Sequence, residues 1–220
     1  LPNLNGICKI ILTNNNINDT VDIPDHLQNI TYTINNVSPK GFGDNHNNAF
    51  FKHCDTEYFC VLNPDIVFHT NPFPQLFTHM KSSNSCISST LAYNRNGEIE
   101  DNYRIFPTPL KLLLKSLGLD FTKYPTISNN HFYPEWVAGL FMLIKSEWFT
   151  NNHFDTSFFM YYEDIDLCLR CWKSKKRVSV LTSEKITHNA RRDSHKKLKF
   201  FIYHIKSIIY FFYKHLGRFP

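Results

Sequence analysis

The sequence predicts an α/β fold built on a central sheet of mixed direction, and three observations lead there. Short apolar runs suited to strands alternate with segments of helical character. With 220 residues, 42% of them hydrophobic, and 20 Phe and 11 Tyr, the chain can bury one sizeable core. Three of the strand-like runs end on chemistry-bearing residues: Asn63-Pro64-Asp65, Glu163-Asp164 and His188. Reactive groups collect at such strand ends in open α/β sheets.

The elements follow in order. "CKIILT" reads as a short buried strand closed by the turn-like "NNNIND", and "NITYTI" alternates as a second strand. "SPKGFGDNHNNAFFKHC" is a glycine-bearing loop that feeds a short helix. "EYFCVLNPDIVF" is an apolar strand stopped by Asn63-Pro64-Asp65, "PFPQLFTHM" a helix, and "SCISSTLAYN" another strand. "FPTPLKLLLKSLGL" opens a helix on proline and stops it on glycine. "EWVAGLFMLIKSEWF" is a long strand turning into a short helix, and "RVSVLTSEKITHN" an alternating strand. No internal repeat is visible, and the natural boundary near Ser194 divides a body, 1–195, from a C-terminal helix, 196–220.

Charge is distributed unevenly. The formal net charge is +5, but 14 of the 24 Lys and Arg fall from Arg170 onward, against two acids, Glu184 and Asp193. A mildly acidic body with a basic C-terminal part implies an anionic partner at that end. The six cysteines show no disulfide-framework spacing, which suits a reducing, cytoplasmic setting. Cys168 and Cys171 have no second pair of ligands and read as core residues of a helix. No apolar run approaches the ~20 residues that cross a bilayer, and no signal-peptide pattern is present.

The stretch "FFMYYEDIDLCLR" carries the sharpest question, because an aromatic run meets Glu163, Asp164 and Asp166 at once. Ile165, Cys168, Leu169 and Trp172 form a helical stripe, so Asp164 can serve as N-cap and Asp166 can pair with Arg170 at i+4. That account suffices for Asp166. One cap needs one acid, however, and two adjacent carboxylates against an aromatic wall raise at least one pKa, which suits general-base work. On residue chemistry alone both readings of Glu163-Asp164 stand. Asp65 is equally open, as part of an Asn-Pro turn or as an oxygen ligand for a hard cation beside a substrate phosphate. His188, followed by Arg191, Arg192, Ser194 and His195, is either structural or part of a phosphate-binding cluster.

"KGFGDNHNNAF", "VLNPDIVF", "EDNYRIFPTP", "WVAGLFMLI", "FFMYYEDIDLCLR" and "THNARRDSHK" occur in the order and spacing found in bacterial family-2 glycosyltransferases. The chain resembles the rhamnosyltransferase-like members that build surface polysaccharides, over roughly Lys9 to Ser207. The resemblance implies a GT-A nucleotide-sugar-binding fold and transfer with inversion at the anomeric carbon. It implies that Asp65 is the last acid of a D-x-D motif varied to Asn63-Pro64-Asp65. It further implies that Asp164 is the catalytic base with Glu163 beside it, and that His188 joins a Mg²⁺ or Mn²⁺ shell. Gly41, Gly43 and Asn47 match a loop beside the donor, with Arg192, Arg191 and Ser194 completing a phosphate clamp. Trp136, Gly139 and Arg104 match the sugar and acceptor pocket. Only eight residues precede Lys9, so the likeness also implies that the family's first strand-helix unit is missing, as in a fragment or shortened frame.

The expected partners are a nucleotide-sugar donor, with dTDP-rhamnose the choice by family likeness, and a saccharide or polyprenyl-diphosphate-linked acceptor. The segment "HKKLKFFIYHIKSIIYFFYKHLGR" reads as a basic amphipathic helix. It is expected to lie on an anionic membrane surface rather than cover the core, placing a cytoplasmic enzyme at the inner face of the bacterial inner membrane. Nucleic acid is not expected, because the aromatics lie within an apolar helix instead of forming a stacking platform. Two other functions compete: a non-catalytic relic or binding module of the same fold, and a metal-dependent phosphoesterase using Asp65, Asp164 and His188.

Overall fold

The computed structural model describes residues 7–16, 21–124, 129–189 and 198–215. In chain order the strands are β1 (Ile10–Asn14), β2 (Thr31–Asn35), β3 (Tyr58–Leu62), β4 (Ile66–Phe68), β5 (Ser85–Tyr93), β6 (Tyr103–Arg104), β7 (His131–Phe132), β8 (Trp136–Val137), β9 (Phe141–Lys145) and β10 (Arg177–His188). The helices are α1 (Asp25–Gln28), α2 (Phe42–His53), α3 (Phe73–Ser82), α4 (Pro109–Ser116), α5 (Ser146–Asn152), α6 (Glu163–Lys173) and α7 (Leu198–His215).

The main sheet has the order β3-β9-β5-β10-β4, with β7 also paired to β10. β9 runs antiparallel to both β3 and β5, and β5 runs parallel to β10, so β3, β5 and β10 point the same way. The mixed direction is as expected. β5 is buried along eight of its nine residues, as a central strand must be, and its hydroxyls are satisfied inside the sheet. Ser88 and Ser179 bond across to each other at 2.9 Å, and the Ser89 hydroxyl donates to the Phe141 carbonyl at 2.8 Å.

Three local departures have physical causes. β1 and β2 form a parallel doublet of their own instead of extending the main sheet. An apolar cavity of about 680 Å³ opens between β1 and β3, lined by Ile10, Ile11 and Leu12 on one side and Phe59, Cys60 and Leu143 on the other. In 135–149, expected as a long strand turning into a short helix, the helix is α5 but the strand is broken at Ala138-Gly139-Leu140, where the backbone turns its hydrogen bonds toward neighbouring loops. And the N-cap of α6 is Tyr162, not Asp164, which leaves the Asp164 carboxylate available for other partners.

Helix ends follow from local chemistry. The Thr108 side chain accepts from the Lys111 N–H at 3.2 Å to start α4, and Gly118, with φ +87°, accompanies its end. The core holds Phe149, Phe154, Phe158 and Phe211 at under 2% exposure, each worth roughly 1.5–3 kcal/mol of burial. Cys168 and Cys171 are fully buried core residues, as their spacing suggested.

The C-terminal helix departs from the expectation that it lies on a membrane instead of covering the core. α7 buries Ser207, Phe211 and His215 against the body, because one in three or four of its side chains faces inward. Its outer face stays apolar, with Leu198, Phe201, Ile202, Ile205 and Ile209 exposed.

Candidate functional site at one end of the sheet

The shared direction of β3, β5 and β10 brings their C-terminal ends to one rim, together with the N-terminal end of β9. Asn63-Pro64-Asp65 follows β3, the Glu100–Asn102 segment follows β5, and His188 ends β10. The broken segment before β9 stitches these together. The Ala138 N–H donates to the Asn102 carbonyl at 2.9 Å, the Gly139 N–H to Asp164 Oδ2 at 3.0 Å, and the Asn63 N–H to the Leu140 carbonyl at 2.9 Å. Three consecutive residues therefore tie the turn after β5, the start of α6 and the turn after β3 to one place.

Asp164 reaches this rim because the chain just before it is forced into an unusual path. Tyr161 and Tyr162 both adopt left-handed backbone angles, φ 72° and 70°. Two bulky residues there cost of order 1–3 kcal/mol each, a strain that persists only where surrounding contacts fix it. α7 supplies those contacts. The Ser207 hydroxyl donates to the Met160 carbonyl at 2.8 Å, and the Tyr162 ring packs against His204 and Phe211 with centroids 5.6 and 5.3 Å away.

The carboxylate of Asp164 accepts from Gly139 N–H and, through Oδ1, from Ile165 N–H at 2.8 Å. Burial raises its pKa, and the two backbone donors counteract that rise. Glu163 beside it is buried, and its Oε2 has no hydrogen-bond partner among the described residues. Burial first, and then the charge of Asp164, push Glu163 up to about 8. The aromatic wall thus acts as its residue types suggested. A side chain at Gly139 would place its Cβ 2.9 Å from the tip of the Phe42 ring and 3.7 Å from Asp164 Cβ, so the ring would have to shift to admit one.

Asp65 and His188 do meet. The Ile186–His188 end of β10 pairs antiparallel with β4, and the Asn189 N–H donates to the Asp65 carbonyl at 2.8 Å. His188 Nε2 lies 3.4 Å from Asp65 Oδ1, a buried oxygen without a hydrogen-bond partner among the described residues. His188 Nδ1 lies 2.6 Å from Glu100 Oε2. No group of three or more His, Cys, Asp or Glu able to hold a metal occurs among the described residues. An unpartnered carboxylate oxygen facing an imidazole nitrogen nevertheless fits a hard divalent cation that takes its remaining ligands from substrate phosphates and water.

The other predicted residues have more structural roles. A Cβ on Gly41 would meet the Phe159 carbonyl oxygen at 2.7 Å, and one on Gly43 would meet Phe154 Cβ at 2.7 Å, so both allow α2 to seat on the 154–159 segment. The Asn47 amide is spent on the Phe154 backbone, donating to its carbonyl at 2.8 Å and accepting from its N–H at 3.0 Å. Arg104 bonds Asp101, Asp120 and Thr122, so its guanidinium is committed to holding the loop around α4. Trp136 donates its indole N–H to the Ile105 carbonyl at 3.0 Å, which fixes the β6–β8 pair beside the Gly139 turn. Arg191, Arg192 and Ser194 lie outside the described residues.

The large cavity touches Asn63 and Pro64 but is not lined by Asp65, Asp164 or His188. It adjoins the rim rather than enclosing all three. Glu100 is the residue that sequence reading missed. It opens the quoted segment "EDNYRIFPTP", from which only Arg104 was singled out, and lies 88 positions from His188, so only the turn after β5 brings the two together.

No protein-family model matches the chain. It is 30% identical over 179 residues to rhamnosyltransferase WbbL of Escherichia coli (strain K12), an alignment that covers 76% of this chain and 68% of that protein. It is 31% identical over 134 residues to the low-salt glycan biosynthesis hexosyltransferase Agl10 of Haloferax volcanii, covering 60% of this chain and 42% of the relative. Among solved structures, GalNAc-T7 with UDP, GalNAc and Mn²⁺ superposes with a TM-score of 0.60 at 11% identity, over 84% of this chain and 38% of that one. A197 from STIV superposes with a TM-score of 0.52 at 14% identity, over 82% and 84% of the two chains. At those identities the two structures speak to the fold alone.

Proposed function

Given that the chain belongs to the family-2 glycosyltransferases and has their GT-A fold, we propose that it transfers a hexosyl or rhamnosyl group, with inversion, from a nucleoside diphosphate donor to a saccharide or lipid-linked acceptor. The observation that supports this most is the placement of Asp164. Its carboxylate is fixed by the Gly139 N–H on the same rim that carries Asp65 and His188.

In this reading Asp164 takes the proton of the acceptor hydroxyl. The hydroxyl oxygen then forms the new bond to the anomeric carbon from the face opposite the diphosphate. The bond from that carbon to the diphosphate oxygen breaks, and the nucleoside diphosphate leaves with the electron pair. General-base catalysis of this kind contributes typically ~10²–10⁴ in rate. Glu163, kept protonated near neutral pH by burial and by Asp164, adds no second negative charge where the hydroxyl must approach. Asp65 and His188, with Asn63 adjacent, would hold Mg²⁺ or Mn²⁺. When bound, such an ion neutralises charge on the departing diphosphate.

α7 supports a membrane role in addition to its packing role. Leu198, Ile202, Ile205 and Ile209 are spaced along one exposed stripe, beside Phe201, Lys199 and Lys206. We assign this face to an anionic headgroup surface, which would bring the rim to a polyprenyl-diphosphate-linked acceptor. No helix among the described residues is long and apolar enough to cross a membrane. Because deleting α7 would also remove Phe211 from the core, the test uses Ile202→Ser with Ile205→Ser and Ile209→Ser in liposome flotation. Unchanged flotation of that variant removes the membrane assignment.

The central experiment is a screen of nucleotide-sugars that follows nucleoside diphosphate release in the presence of acceptor. The expected result is acceptor-dependent release with one donor. Calorimetry showing that no nucleotide-sugar binds would instead favour a relic of the fold, and monophosphate release without acceptor would favour a phosphoesterase.

A further inference from the structure

Among the described residues of the rim, His188 has a carboxylate at each ring nitrogen. The two contacts differ. Nδ1 and Glu100 Oε2 are 2.6 Å apart, a hydrogen-bond distance, whereas Nε2 and Asp65 Oδ1 are 3.4 Å apart and Asp65 Oδ1 has no hydrogen-bond partner among the described residues. A neutral imidazole has one N–H and one lone pair, so a short bond at Nδ1 to an acceptor-only carboxylate places the proton there. The lone pair of Nε2 then faces the lone pairs of Asp65 Oδ1. Two acceptors aimed at one space are unfavourable unless something positive lies between them.

Glu100 is built for this contact. Its own N–H donates to the Ala92 carbonyl at 2.8 Å, and the Asn102 N–H donates to its carbonyl at 2.9 Å, so its backbone is pinned to the end of β5. Asn102 in turn is buried, accepting from Ala92 N–H at 3.3 Å and donating to the Thr90 carbonyl at 2.8 Å. The side chains of Glu100 and His188 are 17% and 16% exposed, so water competes little for the bond.

We propose that Glu100 is the positioning residue of the cation site: it holds the Nδ1 proton of His188, fixes the ring, and turns Nε2 toward the space shared with Asp65. This rests on reading Asp65 and His188 as cation ligands. Carboxylates that orient a ligating histidine in this way typically matter 10–100-fold for metal affinity. Glu100 touches neither substrate nor cation itself.

The test measures Mn²⁺ affinity by calorimetry on the full chain in the presence of nucleoside diphosphate, for the wild type and for Asp65→Asn, His188→Ala, Glu100→Ala and Glu100→Gln. The expected order is loss of binding for the first two, a 10–100-fold weaker affinity for Glu100→Ala, and recovery of most of it in Glu100→Gln, whose amide oxygen still accepts from Nδ1–H. If Asp65→Asn and His188→Ala lose the ion while Glu100→Ala binds like the wild type, the role of Glu100 is overturned and the cation site stands. If none of the variants changes Mn²⁺ affinity, the cation site falls and this inference with it. A second measurement needs no metal and no activity. Nitrogen-15 NMR of the His188 ring should show Nδ1 protonated in the wild type and a mixture of tautomers in Glu100→Ala. A wild-type ring protonated at Nε2 overturns the proposal even if Glu100→Ala proves too unstable for calorimetry.

Discussion

Asp164 and Asp166 stand two residues apart on the first turn of α6, yet they belong to different regions of the molecule. Asp166 lies in the seam between α6 and α7, fully buried and saturated. It meets Arg170 Nε at 2.8 Å, Lys214 Nζ at 2.7 Å and His215 Nε2 at 2.8 Å. Burial pushes its carboxyl up, but His215, Arg170 and Lys214 more than offset that and hold it below the usual range. Asp164 lies at the rim with two backbone N–H donors and no cationic partner among the described residues, and burial leaves its pKa raised. The two acids share a helix turn and differ in who answers them. A carboxylate whose partners use up its lone pairs is a tie, and one left with capacity and an elevated proton affinity is available for chemistry.

The largest break in this comparison is expected from Asp164→Asn. It should lower turnover ~10²–10⁴-fold while nucleotide-sugar binding, followed by calorimetry, stays near the wild-type value. Unchanged transfer would move Asp164 out of the rim's chemistry. On the other side of the comparison, Phe211→Ala should cost about 3–5 kcal/mol in denaturant unfolding, because the ring is fully enclosed between α7 and the body. Asp166→Asn should follow at about 3 kcal/mol, toward the lower end for a broken buried pair because Lys214 keeps Asp155 at 2.7 Å. If Asp166→Asn proves neutral to stability yet abolishes transfer, the division between tie and tool is wrong.

A smaller effect sharpens the rim side through pH. Glu163 titrates near 8 in the folded chain against an ordinary value of 4.5. Between those values the folded state holds a proton that the unfolded chain releases, so the stability from this group is complete below the ordinary value and is lost as pH rises through about 8. The melting temperature should therefore decline across that window, and Glu163→Gln should flatten the decline. A slope indifferent to Glu163→Gln would mean that another group sets it.

Much of this arrangement was legible in the residues. Period and length identified the strands from "CKIILT" to "RVSVLTSEKITHN", because half-buried strands and proline-opened helices leave local marks. The aromatic run before Glu163 signalled a raised carboxyl pKa, because desolvation follows from neighbours in sequence. What remained hidden depends on distant contacts. Asn47 carries a hydrogen-bonding side chain in a glycine-bearing loop, but whether it faces ligand or the Phe154 backbone is decided 107 residues away. Arg104 shows the same limit, since Asp120 and Thr122 claim it only once the α4 loop closes. The N-cap of α6 was misplaced by two residues because no sequence rule anticipates consecutive tyrosines in left-handed geometry.

The way α7 grips the body has a mechanical consequence. The same helix that turns an apolar stripe outward holds Met160 through Ser207 and Tyr162 through Phe211, and its last residues clasp α6, the helix that opens with Glu163 and Asp164. A load applied at the outer stripe would therefore bear on the left-handed tyrosines that lead into Asp164. Whatever settles on that stripe rests on the element that braces the path into Asp164.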